Sequence, residues 1–134
     1  MRYFTMNGCT WCVKYVMANS KELIDRTGKY RAATTDPKTL MIYISDTVPE
    51  GKLPQVLIHE MTHAAIFSYN LLPDIHRMVK KRYWVEAEEW VCNLLANHAA
   101  DILCTASRMT DINIFEMIPR EFDRLANKEG GSYA

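Results

Sequence analysis

The chain is 134 residues long, 49% hydrophobic and 24% charged, which suits one globular domain with a single core. Its 16 basic and 16 acidic side chains cancel, so the overall charge gives no reason to expect a nucleic acid or an anionic membrane surface as partner. No apolar run is long enough for a bilayer and "MRYFTMNGCTWC" has no signal-peptide pattern, so the expectation is a cytoplasmic protein whose four cysteines are thiols.

Residues 1–50 read as mostly β. "RYFTM" and "TWCVKYV" flank Asn7-Gly8, a pair suited to the positive φ angles of a tight hairpin turn. "NSKELIDRTG" predicts a short helix, with Asn19 and Glu22 at capping-box spacing and Gly28 as the stop. "YRAATT" and "TLMIYIS" read as strands around a turn at Asp36-Pro37, with Leu40, Ile42 and Ile44 on one face.

From Gly51 the period becomes helical. Pro54 suits a first helical turn, and "QVLIHEMTHAAIFSY" is apolar on almost every side, which predicts a central, buried helix. After a break at "NLLPD" come a short segment, "IHRMVKK", and a long helix from near Trp84 to Ala106. Trp84, Trp90 and Tyr83 read as core anchors, and Cys104 as a buried apolar side chain. "PREFDRLANK" predicts a last surface helix begun by Pro119, ahead of a frayed tail, "GGSYA". The fold class expected is α+β, a small N-terminal sheet packed on a helical core. Residues 1–134 form one domain: mostly β over 1–50, metal-binding helices over 51–107, and a C-terminal helix and tail over 108–134.

The chemistry lies in "IHEMTHA". Positions i and i+4 of a helix differ by about 40° around the axis, so His59 and His63 point the same way and can reach one ion. Glu60 sits about 100° round, beside the position such an ion leaves open. This is the H-E-x-x-H pattern of zinc peptidases. On a buried helix, imidazoles are costly unless something satisfies them.

A catalytic zinc needs three protein donors and one open position. The candidates for the third are Glu86, Glu88 and Glu89, with His76 and His98. Glu86 is followed one turn on by the bulk of Trp90. Glu88 is followed by Val91, Cys92 and Leu95, a core stripe without a polar neighbour. Glu89 has Cys92, Asn93 and Ala96 after it, a face of small residues with one amide to orient a ligand. His98 lies about 180° round the helix from Glu89 and cannot share its ion. The preferred set is therefore His59, His63 and Glu89, with Asn93 in support.

The pair "HEMTH" and "EWVCNLLA" resembles zinc peptidases whose third ligand is a downstream glutamate. More closely, the chain is similar to the ImmA/IrrE-like metallopeptidases of phages and mobile elements, whose second helix reads E-x-x-A-N-x-F-A. The matching positions are Glu89, Cys92, Asn93, Leu95 and Ala96, with Cys92 where alanine is usual. "NSKELIDRTGKY", "TTDPKTLMIYISD" and "LLPDIHRM" extend the likeness over most of the chain. The resemblance implies a zincin-like core, a Zn2+ cofactor, and hydrolysis of a peptide bond in a protein substrate such as a repressor of the mobile element. Glu60 is then the general base, and His76, ahead of Arg77 and Tyr83, is the first candidate to stabilise the oxyanion. An extended substrate is expected along the edge of "TLMIYIS".

Two other readings stand beside this one. A zinc-stabilised binding module would use the same ligands without turnover. A glutaredoxin-like thiol oxidoreductase would use "CTWC", but only if Cys12 starts a helix with Cys9 at its N-terminus. In a strand, Cys9 and Cys12 fall on opposite faces and cannot pair.

Overall fold

The computed structural model describes residues 1–116. Asn7 and Gly8 take φ values of 46° and 79° and join β1 (Arg2–Met6) to β2 (Cys9–Val16), with Met6 opposite Cys9 and Arg2 opposite Val13. Two consecutive positive φ angles suit the right-handed twist of paired strands, which is why Asn-Gly closes this hairpin. β3 (Ala33–Asp36) and β4 (Met41–Ser45) are antiparallel, joined by a turn in which Asp36 accepts hydrogen bonds from the Lys38 N–H and the Thr39 hydroxyl. β4 runs parallel to β2, giving a mixed four-stranded sheet in the order β1-β2-β4-β3. The "TLMIYIS" strand is thus an inner strand with both edges paired. The outer strand on that side is β3, because the crossover places the later strand of the β3–β4 hairpin against β2.

The expected helix at "NSKELIDRTG" is reduced to a single 3₁₀ turn, Lys21–Leu23. Asp25 competes with helix formation. Its carboxylate accepts from the Thr27 and Lys29 N–H groups, the Thr27 hydroxyl and Arg31, and its carbonyl accepts from the Gly28 N–H. A side chain that offers the backbone this alternative ends a helix early. Gly28, at φ 84°, serves that turn rather than a helix end.

α1 spans Leu53–Ser68, with Pro54 in its first turn. It closes in a Schellman motif: Asn70 has φ 53°, and the Leu71 N–H donates to the Ile66 carbonyl at 2.8 Å. α2 (Leu72–Met78) and α3 (Trp84–Thr110) follow. Trp11, Val13, Ile42 and Ile44 of the sheet pack with Ala33 and with Ala64 of α1. Trp11 Nε1 donates to Ser68 Oγ at 2.8 Å and Asn7 Nδ2 to the Ser68 carbonyl at 2.9 Å, so the first hairpin is tied to the end of α1. A second cluster, Ile66, Ile75 and Cys92, joins α1, α2 and α3.

Trp90 is 65% exposed, and Tyr83 and Cys104 are also exposed, against the expectation of burial. Trp90 lies about 200° round α3 from the buried Glu88, on the side turned away from α1.

Contacts group the chain into two compact units, Met1–Asn97 and a second beginning at His98. The second contains the end of α3 and a 3₁₀ turn, Ile114–Glu116, where the Ile114 N–H donates to Ser107 Oγ. The helix expected from Pro119 and the "GGSYA" tail lie outside the described residues. Among the described residues, no helix is long and apolar enough to cross a membrane. The fold class is α+β.

Candidate metal centre

α1 presents His59 and His63 one turn apart, their rings 5.0 Å apart between centroids and inclined at 68°. α3 brings the Glu89 carboxylate up to both. Its Oε2 lies 3.1 Å from His59 Nε2, and its Oε1 lies 3.2 Å from His63 Nε2. Donors bound to tetrahedral zinc at about 2.0–2.1 Å stand about 3.3 Å from one another. Charge-assisted hydrogen bonds between such groups run shorter, about 2.7–2.9 Å. Separations of 3.1 and 3.2 Å fit N–H···O hydrogen bonds, which reach about 3.2 Å, as well as ligands around a small cation, and nitrogen with oxygen is a donor set that zinc accepts.

Behind this triad lies a second carboxylate. Glu88 is 1% exposed, and its Oε2 lies 2.5 Å from His63 Nδ1. A carboxylate can only accept, so Nδ1 carries the proton and Nε2 is left to face the centre. Arg26 donates to the other Glu88 oxygen at 3.0 Å and sits 3.6 Å from Glu89 Oε1. Judged by its neighbours along α3, Glu88 is a core residue without a polar partner. Its partners instead come from α1 and from the Asp25 turn.

Glu60 is 6% exposed and receives a 2.5 Å hydrogen bond from the Thr35 hydroxyl of β3. Burial raises the Glu60 pKa, although Thr35 and the two imidazoles pull it back. The adjacent imidazoles of His59 and His63 hold Glu89 far below the usual carboxylate range. For Glu88 burial works the other way, yet His63 and Arg26 outweigh it and lower its pKa. Burial likewise opposes charge on His63, but Cys92, Glu88 and Glu89 prevail and its pKa is raised. Without a metal, these neighbours favour the protonated imidazole of His63.

Cys92, wholly buried on α3, completes the surroundings. Its sulfur and one ring nitrogen from each of His59 and His63 all lie within 4.8 Å of one another. The centre opens into a cleft of about 1010 Å³, whose walls include β3 from Thr34 to Asp36, Arg26, Arg31 and Tyr43.

Asn93 lines the cleft but is exposed, and its side chain makes no hydrogen bond among the described residues. His76 stands elsewhere: its ring stacks on Trp84 at 4.0 Å and 8°, beside a separate small cavity with Ile66 and Phe67. Arg77 pairs with Asp74, and Arg82 lies over the Tyr83 ring, so neither Arg77 nor Tyr83 reaches the cleft. Cys9 and Cys12 both lie within strand β2, where no helix starts. Four residues outside the preferred set, Arg26, Thr35, Glu88 and Cys92, shape the centre. In the sequence Glu88 stands out only as a candidate ligand and Cys92 as a thiol one turn from Glu89, whereas Arg26 and Thr35 leave no local trace.

No protein-family profile, curated protein or solved structure matches this chain.

Proposed function

We propose that this protein is a zinc-dependent endopeptidase that hydrolyses a peptide bond of a protein substrate, a repressor or regulator of a phage or mobile element. The observation that carries the proposal is the Glu89 carboxylate spanning His59 Nε2 and His63 Nε2 at 3.1 and 3.2 Å. Zinc held by His59, His63 and Glu89 would act as a Lewis acid, acidifying water and polarising a peptide carbonyl. Glu60 takes the proton from the attacking water and passes it to the leaving amine, a role that suits a buried carboxylate of raised pKa. Thr35 holds the Glu60 carboxylate in place. β3 is the strand available to an extended substrate, since it is the outer strand and its residues line the cleft. The Arg26 guanidinium, on the same wall, is a better placed cation for the oxyanion than His76.

Metal analysis of purified protein tests the centre. Wild type carries about one zinc per chain, and His59→Ala and Glu89→Ala lose it. A folded wild type holding no more zinc than those variants ends the proposal. Proteomes of cells making wild type or Glu60→Gln test the reaction, and a protein that disappears only with wild type is the substrate.

The buried thiol of Cys92 favours a second reading, a zinc-stabilised binding module, because structural zinc sites are closed by four protein ligands. That reading stands if zinc is bound and no protein is cut by wild type in preference to Glu60→Gln.

A further inference from the structure

We infer that Cys92 is itself a metal donor, so that the cation is held by His59, His63, Glu89 and Cys92. The inference rests on the metal centre described above; a fourth protein ligand closes that centre as structural zinc sites are closed, so it deepens the binding-module reading and not the peptidase one.

The helix supplies the alignment. Cys92 lies three residues after Glu89 and four after Glu88, within about 60° of each around the axis, so all three project toward α1. The sulfur and the two imidazole nitrogens fall within 4.8 Å of one another. Around tetrahedral zinc a thiolate and an imidazole nitrogen stand about 3.6 Å apart, so a contraction of at most about 1.2 Å brings Cys92 into the coordination sphere. The remaining side of the thiol is apolar, packed in the cluster of Ile66 and Ile75, and the side chain is 0% exposed. Solvent therefore does not compete for the sulfur, and the direction left open to it is toward the imidazoles. On ligation the cation replaces the thiol proton, which passes to buffer. Two nitrogens, a carboxylate and a thiolate select a borderline-soft cation such as Zn2+ or Co2+ over Mg2+ or Ca2+.

Cobalt(II) reports thiolate ligation directly. Metal-free protein, kept reduced and anaerobic, is titrated with Co2+ and followed by absorption. Wild type is expected to show visible d–d bands together with an intense near-ultraviolet sulfur-to-cobalt charge-transfer band. Cys92→Ala and Cys92→Ser keep the d–d bands and lose the charge-transfer band, whereas a variant with Cys9, Cys12 and Cys104 all replaced by serine keeps both. Wild type with d–d bands but no charge-transfer band overturns the role of Cys92 and leaves the three-ligand centre standing. A charge-transfer band that survives in Cys92→Ala also overturns it. Folded wild type with neither band removes the metal centre itself, and this inference with it.

Discussion

Glu88 Oε2 lies 2.5 Å from His63 Nδ1, and this contact sets which ring nitrogen of His63 faces the centre. Both groups are buried, so the carboxylate cannot trade this partner for water. Carboxylates behind metal-binding histidines typically contribute 10–100-fold to affinity. Glu88→Gln is therefore expected to weaken zinc binding by roughly that factor, as read by competition with a chromophoric chelator. Unchanged affinity would show that His63 is oriented by other contacts.

Thr35 donates to Glu60 across the boundary between β3 and α1. That bond favours the ionised carboxylate against the burial that raises its pKa. Thr35→Val removes the donor and keeps the shape of the side chain. A general base must be ionised to work, so the acid limb of the pH–rate profile should move to higher pH, with zinc content unchanged. A profile identical to that of wild type would exclude Thr35 from positioning Glu60.

The proton on His63 and a metal compete for one site. In the metal-free protein the His63 pKa is raised, with burial opposing and Cys92, Glu88 and Glu89 prevailing. Its contribution to stability is present in full below the unfolded value of about 6.5, and it falls as pH rises through the folded value. Zinc must displace that proton, so its stabilisation grows with pH. The difference in thermal midpoint between zinc-loaded and chelated protein should widen between about pH 5 and pH 8. A difference that narrows over this range would contradict the assignment of the proton.

Ser68 ends α1 and accepts from the Trp11 indole N–H at 2.8 Å, in a buried setting. Ser68→Ala orphans that donor at a cost of about 1–3 kcal/mol. Urea unfolding should register the loss while zinc content stays constant, because Ser68 has no part in the centre.

Much of this architecture can be read from local pattern. Asn7-Gly8 closes a hairpin because of its own φ preferences, Asp36-Pro37 makes a turn through the Asp36 carboxylate, and His59 and His63 share a face because α1 has its period. The first half of the centre is thus contained in five consecutive residues. The small residues one turn after Glu89 are equally local, and α3 brings both Glu88 and Glu89 to the imidazoles.

Other features depend on partners far away in the chain. Glu88 lies 25 residues from His63 and 62 from Arg26, so its neighbours on α3 gave no sign of its role. Asp25 ended a helix that capping-box spacing predicted, because its side chain gathered the donors of its own loop. Strand order, set by the parallel pairing of β2 with β4, made β3 rather than β4 the outer strand. The sequence by itself determined the periodicities, the turns and the paired histidines, which are properties of neighbours along one element. Only the tertiary structure decided which carboxylate orients His63, which hydroxyl holds Glu60 and which thiol stands beside the imidazoles. Those choices follow from the approach of α1 to α3 and to β3, and burial makes each polar group there find its partner across that gap.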